Sequence, residues 1–341
     1  AVRTAGGKRG GRLAGWHPVD MAAATLDALV TRSGVDGKAI DDVVMGCVMQ
    51  GGQQGLQVGR NAVLAAKTLG ESVPAVTIDR QCGSSQQAMQ FAAQAVMSGT
   101  QDMVIAAGVE SMTRVPMGST VMFHMKEGLG SYKSPGLEAI YPGIQWSQFM
   151  GAEMIVKKHG FTKDMLDQFS LESHQKAKAA TEAGLFEDEI VALEVETPEG
   201  TIMHSIDEGI RFDATLEGIA GVKLLSPEGT ITAASSSQIC DGASAVLIVS
   251  EEALKTHGLT PVARIHNLTV TAGDPVIMLE EPLFATDRAL QRAGMTIGDI
   301  DLYEVNEAFA PVPLAWLKHT GADPSKLNVH GGAIALGHPL G

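Results

Sequence analysis

Residues 76–89 read VTIDRQCGSSQQAM, and this stretch joins a strand pattern to a helix pattern with one cysteine between them. The overlapping VPAVTID (73–79) is rich in β-branched residues, which indicates a buried strand. GSSQQAMQFAAQAVMSG (83–99) has small residues on several faces, which predicts a buried helix. DMVIAAGVE (102–110) predicts a second strand. Strand, helix and strand within about forty residues form a βαβ unit, so the predicted fold class is α/β.

Cys82 lies at the start of the predicted helix. Backbone N–H groups and the helix dipole at this end favour negative charge, so we expect a lowered thiol pKa and a thiolate near neutral pH. The alternative is that Cys82 is a small buried apolar residue. The 341 residues contain three cysteines, too few for a disulfide framework, and neither their spacing nor the dispersed histidines indicate a metal site.

Composition excludes several classes of protein. Hydrophobic residues make up 45% of the chain, which is enough for a core, and the net charge of −14 argues against a nucleic-acid surface. No stretch approaches the length of apolar sequence that a membrane span needs. Few cysteines and no signal-like N-terminus predict a reducing compartment. We therefore expect the cytoplasm, with a mitochondrial or peroxisomal location as the alternative.

The chain contains a weak internal repeat. ALVTRSGVDGKAIDDVVMGCV (28–48) and ALQRAGMTIGDIDLYEV (289–305) each predict a helix end, a glycine, an Ile-Asp step and an apolar strand. Each is followed by a helical segment, a further strand and a glycine-rich turn. The identities are few but the order of elements is the same, which predicts two similar α/β halves.

The repeat divides the chain into three parts. The N-terminal half spans 1–112, an inserted segment of different character spans 113–241, and the C-terminal half spans 242–341. The second half stops at Gly341, where the repeat predicts a further helix. We therefore expect the sequence to be truncated at its C-terminus and clipped at its N-terminus.

Three motifs in this order resemble the thiolases: IDRQCGSSQQA (78–88), EVNEAFA (304–310) and NVHGGAIALGHPLG (328–341). The resemblance covers essentially the whole chain. It implies the thiolase fold, a duplicated five-layered αβαβα core with an inserted loop domain. It also implies acyl transfer between coenzyme A and a cysteine-bound acyl group, with cleavage of a 3-ketoacyl-CoA or condensation of two acyl-CoA. Acyl-CoA and coenzyme A would be the partners, with no permanently bound cofactor, in a homodimer or homotetramer.

The same resemblance assigns roles to residues of the motifs. Cys82 matches the nucleophile, and its backbone N–H matches one donor to an oxyanion. His338 matches the base that activates the nucleophile. Asn306 matches the asparagine that holds a water with the histidine in a second oxyanion hole. Glu307 is expected to support this segment, and Phe309 to pack.

The resemblance also implies contacts with coenzyme A. The residues concerned are Ser237, Met150 and Gly151 for the pantetheine part and Arg211 and Lys223 for the phosphates. The alternative for the serine is an ordinary polar residue of a serine-rich loop, and for the two cations ordinary surface charge. The family often has an arginine next to the position of Lys223, where this chain has Val222.

One family motif has no counterpart here. Thiolases carry a second cysteine in a C-terminal CxGG motif, which serves as an acid and base, and this sequence contains no such motif. Either the segment lies outside this sequence or the chain is short. The alternatives to a thiolase are a catalytically silent binding or complex subunit and a β-ketoacyl synthase-like enzyme. The NEAFA segment (306–310) opposes a β-ketoacyl synthase-like enzyme. The three matched catalytic residues oppose a catalytically silent subunit. The motifs do not distinguish acyl chain length, steroid from linear substrates, or the direction of the reaction.

Overall fold

The computed structural model describes residues 1–341 and contains nine strands and twelve α-helices. The strands are β1 (Val2–Thr4), β2 (Gly7–Lys8), β3 (Asp42–Gly46), β4 (Ala75–Ile78), β5 (Met103–Ser111), β6 (Ile190–Val191), β7 (Leu193–Thr197), β8 (Gly200–His204) and β9 (Cys240–Val249). The helices are α1 (Pro18–Ser33), α2 (Val58–Ala65), α3 (Ser84–Met97), α4 (Ser119–Lys126), α5 (Pro135–Ile140), α6 (Gln148–His159), α7 (Lys163–Glu182), α8 (Leu216–Ala220), α9 (Glu251–Thr256), α10 (Glu281–Ala293), α11 (Pro311–Thr320) and α12 (Ala333–Leu336).

Seven strands form one mixed sheet in the order β4-β3-β5-β9-β1-β6, with β2 pairing with β9. The predicted βαβ unit is present as β4, α3 and β5, and β3 lies between its two strands in parallel register. β9 runs antiparallel to β5, from the pair Met103–Val249 to the pair Ser111–Asp241. Residues 242–249, which the repeat placed in the C-terminal half, therefore pair in the N-terminal sheet. A sequence repeat gives the order of elements along the chain. It does not show that a later strand, here β9, pairs within the sheet of the first half.

Side chains of the sheet alternate between two layers of helices. Val43 and Met45 point into the core formed with α1 and α2. Val44, between them, points to the other face and packs with Ala88 and Ala92 of α3. Because alternate residues of a strand face opposite sides, one strand serves both layers. Cys82 thus precedes a helix that is packed directly onto the sheet.

The sequence predicts that α3 is buried on several faces, but the structure differs. The alanine face is buried against the sheet, whereas Phe91 is 42% exposed and Met97 is 63% exposed. The small residues permit close packing of one face of α3 on the sheet. The opposite face, which carries Phe91 and Met97, stays partly exposed.

The C-terminal half repeats the order of the first half with less regular strands. Both α1 and α10 end at a glycine in the left-handed conformation, and a short 3₁₀ turn follows each. The strands predicted within 289–305 and 326–341 form no ladder and pair with each other through one parallel bridge, between Tyr303 and Leu327. No neighbouring strand extends this bridge into a ladder, and isolated strand pairs are only marginally stable.

The inserted segment contacts the N-terminal half through a strand and the C-terminal half through helices. α6 and α7 form the helical hairpin predicted over 151–184. β6 joins the N-terminal sheet beside β1, and α7 packs against α12. None of the helices has both the length and the apolar composition needed to cross a membrane. No group of three or more His, Cys, Asp or Glu residues is arranged to hold a metal ion.

Candidate active site

Cys82 lies in a tightly bonded turn between β4 and α3. The backbone N–H of Gln81 donates to the Asp79 carboxylate at 2.6 Å, and that of Arg80 donates to Ser84 Oγ at 2.9 Å. Gln81 has a φ of +48°, in the left-handed region that side chains other than glycine rarely adopt. The backbone N–H of Cys82 donates to no oxygen atom of the protein and approaches only the sulfur of the same residue. It is therefore available to an oxygen atom of a substrate.

The Cys82 side chain is half-buried against Val48, Met112 and Leu340, here called the thiol cluster. Burial raises the pKa of the Cys82 thiol, and the negative charge of Glu110 raises it further. The lowered pKa expected from a helix N-terminus is therefore wrong. Desolvation by apolar neighbours outweighs the favourable N–H groups. The resting group is a thiol, which needs a base before it can attack.

His338 lies in the turn after α12 and is half-buried. Burial lowers the pKa of His338, so its imidazole is neutral near pH 7 and able to accept a proton. Its backbone N–H donates to the carbonyl oxygen of Gln238 at 3.3 Å and also approaches the sulfur of Cys240. Gly337 has a φ of +90°, and a Cβ there would stand 2.8 Å from the Cys240 sulfur. The glycine is required for this turn.

Asn306 is exposed, and its Nδ2 atom lies 3.5 Å from His338 Nε2. This separation is too long for a strong hydrogen bond, so the two nitrogen atoms stand side by side and can face one shared oxygen atom. Asn328 holds the segment from behind. Its Oδ1 accepts from the backbone N–H of Val305 at 2.9 Å, and its Nδ2 donates to the carbonyl oxygen of Val305 at 2.9 Å.

Glu307 anchors the same segment from inside the protein. Its carboxylate accepts hydrogen bonds from Ser173 Oγ at 2.6 Å, Asn328 Nδ2 at 2.9 Å and the backbone N–H of Ile334 at 3.1 Å. Burial raises the pKa of Glu307. These bonds join α7, the NEAFA segment and α12. Glu307 thus has the surroundings of a supporting residue, as the motif implied.

Leu340 brings the histidine turn against the cysteine turn. It follows His338 by two residues and belongs to the thiol cluster on which the Cys82 side chain lies. With Asn306 beside the imidazole, the structure gathers the three candidate catalytic residues from three distant segments. A protonated thiol, a neutral imidazole and an amide donor at one site can perform nucleophilic acyl transfer.

Ser237 and the first turn of α6, which carries Met150 and Gly151, both lie next to the NEAFA segment. The backbone N–H of Ser237 donates to the carbonyl oxygen of Ala308 at 2.9 Å. Met150 and Gly151 lie in the first turn of α6, and the phenylalanine before Met150 contacts the Phe309 ring edge to face, with 5.3 Å between ring centres. Met150 is 47% exposed, so its side chain is open to a ligand. Ser237 and this turn of α6 therefore lie beside the NEAFA segment, whereas Gly151 itself is buried and faces the carbonyl oxygen of Ile277.

Arg211 and Lys223 are exposed, and neither side chain forms an ion pair or a hydrogen bond within the protein. Only the backbone of Arg211 is bound, through its N–H to His174 Nδ1 at 3.1 Å. No hydrogen bond or ion pair joins the side chain of Arg211 or Lys223 to the residues around Cys82. Their charges are available to an anionic ligand, and surface charge remains the alternative.

The motifs do not point to three polar residues at the site, Glu110, Gln148 and Gln238, and a hydrogen bond from the Gln148 side chain to the Cys82 sulfur lowers the pKa of that thiol. Glu110 is fully buried and accepts hydrogen bonds from the backbone N–H groups of Val48 at 2.8 Å and Met49 at 3.1 Å and from Gln54 Nε2 at 2.7 Å. A charged residue at the end of an otherwise apolar strand is the signal that could have indicated it, since buried charges need dedicated partners.

Comparisons with known proteins identify the family of this chain. The thiolase N-terminal domain family matches residues 1–252, and the thiolase C-terminal domain family matches residues 259–341. The steroid 3-ketoacyl-CoA thiolase FadA6 of Mycobacterium tuberculosis is 50% identical over 100% of this chain and 83% of its own length. A 3-ketoacyl-CoA thiolase of Yersinia pestis is 43% identical over 100% of this chain and 87% of its own length.

A solved structure gives the same result for the fold. Human mitochondrial 3-ketoacyl-CoA thiolase superimposes with a TM-score of 0.87 at 34% sequence identity, covering 100% of this chain and 87% of that chain. The expected thiolase fold is thereby confirmed. The N-terminal match extends past β9, in agreement with the place of that strand in the first sheet. The chain therefore belongs to the thiolase family, and the protein is an acyltransferase of that family.

Proposed function

We propose that the protein cleaves a 3-ketoacyl-CoA with coenzyme A, by way of a thioester on Cys82. The observation that carries this proposal is the meeting of three segments at one site. A protonated thiol lies on the thiol cluster, and the turn of His338 packs on the same cluster. The amide nitrogen of Asn306 stands 3.5 Å from the imidazole.

The resting protonation states determine the first step. His338 takes the proton of the Cys82 thiol, and the sulfur attacks the C3 carbonyl carbon of the substrate. The C2–C3 bond breaks, C2 takes up the proton that the imidazolium of His338 holds, and acetyl-CoA leaves with His338 neutral again. The acyl group remains on the sulfur of Cys82.

The second step releases the acyl group. His338 takes the proton of the coenzyme A thiol, whose sulfur attacks the thioester carbonyl. Cys82 leaves as a thiolate and regains the proton from the imidazolium. The products are the shortened acyl-CoA and the free enzyme.

Two sets of donors would stabilise the charge that develops on oxygen. One is Nδ2 of Asn306 together with protonated Nε2 of His338, and the other is the backbone N–H of Cys82. The backbone segments that carry both sets are held by hydrogen bonds before the substrate arrives, which favours effective stabilisation of a transition state.

Coenzyme A would bind across the inserted segment. We assign the pantetheine part to Ser237, Met150 and Gly151; the support is that Ser237 and the first turn of α6 lie next to the NEAFA segment. We assign the phosphates to Arg211 and Lys223, whose side chains have no acidic partner in the protein.

A steroid-derived acyl chain is a second candidate for the substrate. The relative from M. tuberculosis, which is 50% identical, is named a steroid 3-ketoacyl-CoA thiolase. The comparison to make is the ratio of kcat/KM for a ring-bearing and a straight-chain 3-ketoacyl-CoA.

We also propose a homodimer or homotetramer in the cytoplasm, with the family resemblance as support. Light scattering of the purified protein tests the first part, and cell fractionation tests the second.

The direct test of the reaction is the intact mass of the protein after incubation with acetoacetyl-CoA and an acid quench. We expect one acetyl adduct, mapped to Cys82, that disappears when coenzyme A is added. Cys82→Ala is the blank. An adduct on another residue, or none, would contradict the proposed nucleophile.

A further inference from the structure

The side chain of Gln238 lies between two segments that the proposed function uses. Its Nε2 atom donates to the carbonyl oxygens of Gly209 at 2.7 Å, Ile334 at 2.8 Å and Ala335 at 3.3 Å. A carboxamide oxygen in the same place would face three carbonyl oxygens, so the surroundings determine which way the amide points.

The acceptors on α12 are groups that need an outside donor. The last four carbonyl oxygens of an α-helix have no partner within the helix, and α12 has only four residues. Gln238 supplies donors to two of them. Its backbone binds the same segment, donating to Ala333 at 3.4 Å and accepting from the N–H of His338 at 3.3 Å. One residue therefore holds both α12 and the histidine turn.

The third acceptor belongs to the loop 207–211, which carries a candidate for the phosphate contact. The first residue of this loop, Asp207, is bound to Arg3 at 2.7 Å. In the middle, a Cβ on Gly209 would stand 2.5 Å from the carbonyl oxygen of Ala335. The loop and α12 are therefore in direct contact, and the amide of Gln238 bonds them together across that contact.

We propose that Gln238 is a positioning residue that couples the loop 207–211 to the turn that holds His338. This inference rests on the proposed function, in which Arg211 contacts coenzyme A and His338 takes the thiol proton. Gln238 touches no reacting atom. It acts through carbonyl groups on both sides, so the binding of coenzyme A and the position of the imidazole depend on one side chain.

The test is Gln238→Met, which keeps the length of the side chain and removes its N–H groups. We expect kcat per active site to fall about tenfold, because a small displacement of a catalytic group is costly. We expect KM for coenzyme A to rise about threefold or more, because the loop 207–211 loses the same bond. Active sites are counted by alkylation of Cys82, and folding is checked by the melting temperature.

The matched control is Gln90→Met. Gln90 is also half-buried, and its Nε2 donates to one carbonyl oxygen, that of Thr269, at 3.1 Å. We expect kcat per site and KM to be unchanged in this variant. Its response measures the general effect of removing a half-buried glutamine.

The outcomes separate positioning from simple stabilisation. If Gln238→Met lowers only the melting temperature and the number of active sites, while kcat per site and KM stay at wild-type values, the proposal is overturned. If Gln238→Met does not fold, Gln238→Asn takes its place, with a smaller change in both constants expected and unchanged constants overturning the proposal. A wild-type protein without turnover would overturn the proposed function, and this inference with it.

Discussion

Nδ2 of Asn306 and Nε2 of His338 lie 3.5 Å apart, although the two residues are separated by 32 positions in the sequence. Each belongs to a segment that is fixed from behind by buried or half-buried amides. Asn328 binds both backbone polar groups of Val305, and Gln238 binds α12 and the backbone N–H of His338. The distance between the two nitrogen atoms is thus set by groups that do not take part in the reaction.

Replacing Asn306 by alanine removes one of the proposed oxyanion donors. We expect kcat to fall about a hundredfold or more, the usual cost of removing such a donor. Steady-state kinetics with acetoacetyl-CoA and coenzyme A measure this. Asn61→Ala is the control, because its side chain donates to one carbonyl oxygen of its own turn, at 3.0 Å, and to none of the candidate catalytic residues. A kcat within twofold of wild type for Asn306→Ala would remove this residue from the mechanism.

The pH dependence of Cys82 acylation reports on His338. Burial lowers the pKa of this histidine, so the neutral imidazole persists to lower pH than in a free histidine. We expect the acidic limb of kcat/KM to have its midpoint below the ordinary value of about 6.5. His338→Ala should abolish the limb, and His257→Ala, on the surface, should leave it unchanged. A midpoint above the ordinary value would contradict the assignment of the base.

Glu110→Gln tests the electrostatic part of the thiol pKa. Burial is the larger cause of the raised pKa of Cys82, and the charge of Glu110 contributes to it. Removing that charge favours the thiolate, so we expect the midpoint of iodoacetamide alkylation to move to lower pH. Glu251→Gln, at an exposed position on α9, should not move it. A midpoint that stays in place would show that Glu110 acts only by holding the backbone of Val48 and Met49.

Arg211→Ala tests the contact with phosphate. We expect kcat/KM for coenzyme A to fall about fivefold or more, since charge-assisted hydrogen bonds to phosphate are among the stronger ones. Pantetheine lacks the phosphates. We therefore expect kcat/KM for pantetheine, which should be lower than that for coenzyme A, to be the same in Arg211→Ala and in the wild type. Arg264→Ala, also exposed, is the control. An equal fall for both acceptors would mean that Arg211 supports the loop and not the phosphate.

The local elements around Cys82 are predictable because they depend on local pattern. The β-branched run before the cysteine, the small residues after it and the apolar run beyond became β4, α3 and β5. Pairing between distant segments is different. Nothing in the composition of Cys240–Val249 indicates that it inserts between β5 and β1, since either half of the chain could accept an apolar strand.

The sequence by itself determined the family, because the cysteine, NEAFA and GHP motifs occur in order on a repeated α/β pattern. It also selected Cys82, Asn306 and His338. Only the tertiary structure decided that the Cys82 thiol is protonated at rest. The helix terminus is formed by residues next to Cys82 in the sequence, and it predicts a lowered thiol pKa. Desolvation raises the pKa of the Cys82 thiol, and it depends on the thiol cluster, whose three side chains come from distant parts of the chain. Burial is a sum over neighbours in space, and sequence order does not show which neighbours those are.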